Sequence, residues 1–183
     1  MGLMTADSGP QPFPSEIPFL NELGVDFLGM GNGRAEVALT LEKRHLNSWH
    51  VAHGGVTMTL LDVVMSMAGR SLDPDARGGV TVEMKTSFMQ PGGHEGSRLI
   101  ARGHAFHRST TMVFCEGELW NDDKLVAKAM GTFKYLKRLD AAKKLEHETQ
   151  AAVAPASVAP PGGPRAGPRA EAGGNFFGLP ETP

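Results

Sequence analysis

One segment of this chain, residues 54–69, is long enough for a helix and strongly apolar throughout. An alternating stretch of apolar and polar residues precedes it, and four further strand-like stretches follow it. A helix with so few polar positions must bury most of its surface, so it needs a sheet to cover it. This order predicts an α+β fold in which an antiparallel sheet wraps around one long central helix.

The neighbouring elements follow from periodicity and turn residues. A short helix is expected over residues 16–23, with Ser15 as its N-cap and Gly24 as its end. Strands are expected over residues 35–41, 80–88, 98–107, 111–120 and 124–136, with a turn at residues 121–123. In the strand over residues 80–88, Val80 and Val82 alternate with Thr81. This pattern would turn the two valines toward the helix and Thr81 away from it.

Composition divides the chain into a folded part and its flanks. We expect residues 1–14 to be loose and residues 15–138 to form one domain, which residues 139–150 could extend as a helix. Residues 151–183 contain 7 Pro, 8 Ala and 6 Gly, too little apolar surface to offset the entropy of ordering, so a disordered tail is expected. Its aromatic island, Phe176-Phe177, is either incidental or a docking motif.

Charge and cysteine content exclude several classes of protein. A net charge of -2 and a pI near 6.4 disfavour nucleic-acid binding. No stretch reaches the roughly 18 to 20 apolar residues that cross a bilayer. The single Cys115 excludes an internal disulfide and a multi-cysteine zinc site. Because no secretory signal is recognised at the N-terminus, we expect a cytoplasmic protein.

The start of the apolar segment has features that favour chemistry. Gly54 and Gly55 open the predicted helix, whose first N–H groups lack acceptors and can stabilise a developing negative oxygen. Asp62 lies two turns further on among Val, Leu and Met, where an ionised carboxylate costs several kcal/mol unless it is partnered. Asn47 and His53 flank the entrance with polar groups.

Each of these residues also has a purely structural explanation. Gly55, Thr59, Asp62 and Ser66 have helical spacing and could form a solvent-facing stripe. His53 could simply bond to the backbone at the helix entrance, and the two glycines could form an ordinary turn. It is their coincidence in one short segment that favours a reactive site.

The run Asn47-x5-His53-Gly54-Gly55-x6-Asp62 resembles the hotdog-fold acyl-CoA thioesterases of the phenylacetate-degradation (PaaI-like) branch, which are kin to the 4-hydroxybenzoyl-CoA thioesterases. The resemblance continues through residues 79–84, 88–91 and 124–133, and it covers roughly residues 20–136. It implies a hotdog fold in which two subunits pair their sheets, and in which dimers often form tetramers.

The resemblance also implies a role for each residue of the motif. The Gly54 N–H would polarise the thioester carbonyl, and Asp62 of the opposite subunit would act as general base or as nucleophile. Asn47 would orient the water or the thioester, and His53 would support the loop and the carbonyl. Thr81 matches a position that usually carries a hydroxyl near the carboxylate.

The resemblance implies contacts with coenzyme A at three places in the chain. Coenzyme A would be part of the substrate, and the reaction would need no added cofactor or metal. The expected contact residues are Lys43, Phe88, Met89, Gln90, Pro91, Gly92, Gly93, His107, Arg108, Ser109, Thr110, Thr111, Met112 and Lys134. Three of them, Lys43, Arg108 and Lys134, can pair with phosphate oxygens.

Other classes of protein compete with an enzyme that hydrolyses an acyl-CoA. A metal enzyme would use the closely spaced His45, His50 and His53, but no recognised ligand spacing completes such a site. A hotdog hydratase would need a signature that this chain lacks. A non-catalytic acyl-CoA-binding, regulatory module remains the main alternative.

Overall fold

A computed structural model describes residues 9–136, which contain two α-helices and six strands. The helices are α1 (Pro18–Leu23) and α2 (Gly54–Ser71), and a 3₁₀ turn spans Lys43–His45. The strands are β1 (Asp26–Gly31), β2 (Arg34–Thr40), β3 (Gly79–Phe88), β4 (Arg98–Arg108), β5 (Met112–Asn121) and β6 (Lys124–Tyr135). The tail island and the extension expected over residues 139–150 lie outside the described residues.

All six strands form one antiparallel sheet in the order β1-β2-β4-β5-β6-β3. Buried and exposed side chains alternate along β4 and β5, so one face of the sheet faces the core. Helix α2 packs on that face and buries Leu60, Leu61, Val64 and Met65 completely. The α+β hotdog fold predicted from the sequence is confirmed.

The helix lies unusually close to the sheet at one position. Gly103 of β4 faces α2, and a Cβ added to it would overlap the backbone carbonyl of Val64. Residues without a side chain allow two backbones to approach in this way. The contact fixes the height of α2 above the sheet.

Two local predictions were wrong. Strand β1 was not predicted, although Asn32 (φ +52°) and Gly33 (φ +76°) form the tight turn that joins it to β2. Helix α1 begins at Pro18, and its N-cap is Ile17 rather than Ser15; no side chain caps it, and the N–H of Leu20 donates to the Ile17 carbonyl at 3.0 Å instead. Gly24 ends α1 in the left-handed conformation, as predicted.

Part of the expected loose segment contacts the sheet. The N–H of Gln11 donates to the carbonyl of Phe27 at 2.7 Å, and the ring of Phe13 stacks on that of Phe27 at 5.2 Å.

No helix within residues 9–136 is long and apolar enough to cross a membrane.

Candidate active site

The loop before α2 is held by the side chain of Asn47. Its Oδ1 accepts hydrogen bonds from the N–H groups of Trp49 (2.9 Å) and Val51 (3.4 Å), and its own N–H donates to the carbonyl of Val51 at 2.9 Å. His50 completes this turn with a positive φ of 59°. Because Oδ1 is engaged in the loop, the Nδ2 amide group of Asn47 is the part that can donate to a ligand.

His53 is the N-cap residue of α2. Its Nδ1 accepts a hydrogen bond from the N–H of Gly55 at 2.9 Å, so in this arrangement Nε2 is the ring nitrogen that can donate. The N–H of Gly54 has no acceptor among residues 9–136, as expected at the first position of a helix. A donor at the positive end of the helix dipole is therefore available to an electron-rich atom.

Asp62 is linked to strand β3 through Thr81. The Thr81 hydroxyl donates a hydrogen bond to Oδ1 of Asp62 at 2.7 Å, and Asp62 is half-buried in the single chain. The orientation predicted for this strand is therefore wrong. Thr81 faces the helix, whereas Val80 and Val82 are 44% and 54% exposed. Strand β3 lies at the edge of the sheet, so one of its two sides has no neighbouring strand among residues 9–136.

A cavity of about 450 Å³ lies beside Asp62, between α1, α2 and β3. Its polar lining consists of Asp62, Thr59 and Ser66. The remaining lining residues are apolar: Ile17, Phe19, Leu20, Met58, Val63, Met67 and Met84. Three flexible methionines allow such a cavity to adapt to apolar groups of different shape.

The expected coenzyme A contacts fall into two groups at opposite ends of the subunit. Near the start of α2, the Phe88 ring would lie 3.6 Å from a Cβ on Gly54, and the Ala52 N–H donates to the Gly93 carbonyl at 3.1 Å. The second group, His107 to Met112 with Lys134, lies near the end of α2. Because α2 has 18 residues, the two ends are about 27 Å apart.

Arg108 belongs to an ionic cluster at that second end. Its Nη1 donates to the Leu72 carbonyl at 2.8 Å and lies 3.7 Å from Oδ1 of Asp73. Arg77 makes the closer pair with Asp73, at 2.7 Å. A hydrogen bond from Arg77 is the main cause that lowers the pKa of Asp73 from 3.8 to about 2.

The cluster extends to Tyr135, whose hydroxyl donates to the Gly69 carbonyl at 2.9 Å and whose ring lies under the Arg77 guanidinium at 5.0 Å. Sequence reasoning missed the Asp73–Arg77 pair. Its signal was the i, i+4 spacing of opposite charges directly after a helix.

Comparison with known proteins identifies the family of this chain. The thioesterase superfamily model matches residues 50–128. Acyl-coenzyme A thioesterase 13 of Mus musculus is 30% identical over 96 residues, 51% of this chain and 67% of that protein. The chain belongs to the thioesterase superfamily and is a thioesterase of the hotdog fold.

Solved structures agree with this assignment. A conserved protein of Pseudomonas aeruginosa is 30% identical, with a TM-score of 0.62. The match covers 66% of this chain and 95% of that protein's chain. A mutant of the phenylacetic acid degradation protein PaaI from Thermus thermophilus is 28% identical, with a TM-score of 0.60. The match covers 66% of this chain and 100% of that protein's chain.

Proposed function

We propose that this thioesterase hydrolyses an acyl- or aryl-acyl-coenzyme A with water and with no added cofactor or metal. The observation that carries the proposal is the Asp62 carboxylate, bonded to Thr81 and placed on the wall of an apolar cavity of about 450 Å³. An apolar acyl group would fit this lining, and its thioester carbon would then lie toward the Asp62 carboxylate.

The carbonyl oxygen of the thioester would be bound by the free N–H of Gly54 and by the Nδ2 group of Asn47. Both donors lie at the entrance of α2, and the His53 cap holds the first turn in place. Negative charge develops on this oxygen when the carbonyl carbon is attacked, so fixed donors favour the transition state.

Asp62 then acts by one of two routes. As general base, it takes a proton from water while the water oxygen bonds to the carbonyl carbon; the C–S bond breaks, and the coenzyme A sulfur leaves and is protonated. As nucleophile, its carboxylate displaces the sulfur and forms an acyl anhydride, which water then hydrolyses.

Helix geometry supports a site shared between two subunits. Gly54 and Asp62 are eight residues apart on one helix, about 12 Å along its axis, too far for both to reach one thioester. A second copy, with its helix antiparallel to the first, would bring Asp62 of one chain to Gly54 of the other. The same arrangement would bring the two groups of coenzyme A contacts closer together.

The edge strand β3 is the surface we assign to this homodimer. Its backbone is unpaired on one side among residues 9–136, and its exposed Val80 and Val82 favour cover by another strand. The proposed homotetramer would be formed by two such dimers.

The test is release of free thiol from acetyl-, hexanoyl-, decanoyl-, palmitoyl-, benzoyl- and phenylacetyl-coenzyme A. We expect turnover of at least one ester by the wild type. Binding of these esters without turnover of any would contradict the proposal and support a regulatory module.

A further inference from the structure

His45, the last residue of the 3₁₀ turn, is fully buried. Its Nδ1 accepts a hydrogen bond from the backbone N–H of Glu42 at 2.9 Å. A nitrogen that accepts an N–H offers its lone pair and carries no proton, so Nε2 is the ring nitrogen that can act as a donor. The buried His45 ring is therefore hydrogen-bonded to Glu42, the residue that precedes the 3₁₀ turn.

The backbone of His45 connects this turn to the start of α2. Its N–H donates to the Glu42 carbonyl at 2.9 Å, and its carbonyl accepts from the His53 N–H at 2.8 Å. A bridge between Leu46 and Ala52 lies just beyond this bond. Since His53 directly precedes Gly54, the carbonyl of His45 holds the peptide next to the free donor.

The other ring nitrogen of His45 does not explain the presence of histidine here. Nε2 is buried and has no hydrogen-bond partner among the described residues. An unpaired buried donor is unfavourable, and a leucine at this position would avoid it. The useful property of the ring is therefore the Nδ1 lone pair.

We propose that His45 is a positioning residue for the carbonyl-binding end of the active site. Its Nδ1 fixes the 3₁₀ turn, and through the His45 carbonyl and His53 it orients the N–H of Gly54. Since the His45 side chain is fully buried, its effect on the substrate would be indirect. The proposal builds on the proposed thioester hydrolysis at Gly54.

Three substitutions separate the two ring nitrogens. His45→Asn places a side-chain oxygen near the position of Nδ1, His45→Gln places its amide near Nε2, and His45→Leu has neither group. We expect His45→Asn to keep kcat within about threefold of the wild type. The Gln and Leu variants should lose kcat by about tenfold to a hundredfold, with KM within about threefold, because the donor moves but the substrate groove does not.

Two further measurements separate positioning from loss of stability. Ser71→Ala removes a partly buried hydrogen bond from the Gly33 N–H at the far end of α2 and should lower stability without changing kcat. Hydrogen exchange of the His53 amide should stay protected in the Asn variant and become fast in the Gln and Leu variants.

Equal kcat for all variants would overturn the proposal, as would a Gln variant that is more active than Asn. A common loss of kcat with unchanged protection of the His53 amide would also overturn it. If the wild type hydrolysed none of the esters, the proposed function would fail, while the order of amide protection would still show whether Nδ1 of His45 holds the turn and the His53 amide in place.

Discussion

The Thr81 hydroxyl donates a 2.7 Å hydrogen bond to Oδ1 of Asp62, and so joins edge strand β3 to helix α2 at the wall of the cavity. This bond leaves the second carboxylate oxygen of Asp62 for water or substrate. It also fixes one orientation of the carboxyl group, which proton transfer at a defined position requires.

Asp62→Asn should lower kcat by about a hundredfold to ten-thousandfold, because the amide can neither accept a proton nor attack the thioester. The free energy of unfolding should change little, since Asn can still accept the Thr81 hydroxyl. Urea unfolding and size-exclusion chromatography provide the control. A variant with near wild-type kcat would exclude Asp62 from the reaction.

Thr81→Ser should keep most of the activity, whereas Thr81→Val should lower kcat by about tenfold. Serine retains the hydroxyl donor, and valine has the shape of threonine without it. Valine against the wild-type threonine measures the hydrogen bond, because these two side chains occupy similar volume, and the serine variant controls for loss of the methyl group. Equal kcat for the two variants would show that the bond to Asp62 is dispensable.

A shared site predicts complementation between two inactive variants. Asp62→Asn and Asn47→Ala, mixed under conditions that exchange subunits, should recover about one quarter of wild-type activity, because half of the dimers are mixed and each holds one intact site. Each variant mixed with itself is the control. No recovery, despite proven subunit exchange, would place both residues of one site in the same chain.

Acid should weaken the fold through the Asp73–Arg77 pair. Because the pKa of Asp73 is lowered from 3.8 to about 2, its stabilisation is present above pH 4 and is lost as pH falls toward 2. The contribution is about 2 kcal/mol of the free energy of unfolding. Urea unfolding of the wild type and of Asp73→Asn should differ most at neutral pH and converge near pH 2. A constant difference across this range would contradict the assigned role.

Cys115 should not react with thiol reagents in the folded protein. Burial raises the pKa of its thiol to about 12, so almost no thiolate exists at neutral pH. Ellman's reagent should therefore detect only coenzyme A released by turnover. Cys115→Ala is the matched control, and a similar background from the wild type and this variant is the expected result.

The sequence predicted the central helix and the later strands because their periodicity is regular and their turns carry Gly, Pro or Asp. It missed β1 because Gly29 and Gly31 interrupt the apolar pattern before the Asn32-Gly33 turn. It reversed Thr81 because alternation alone does not tell a core-facing valine from one on an exposed edge strand.

The same limit applies to the candidate site. The spacing of Gly54 and Asp62 could be read from the sequence, because a helix converts spacing into distance. The separation of the two groups of coenzyme A contacts could not, because it depends on which strands are neighbours in the sheet. The engagement of Arg108 by Leu72 and Asp73 also depends on tertiary contacts.

Under the proposed mechanism, the close approach at Gly103 lets a residue with no reactive group affect the reaction. Any larger side chain there would push α2 away from the sheet. Because Gly54 and Asp62 both lie on this helix, they would be displaced together. Variants with a changed acyl-group preference are therefore better sought by substituting the methionines of the cavity than by substituting Gly103.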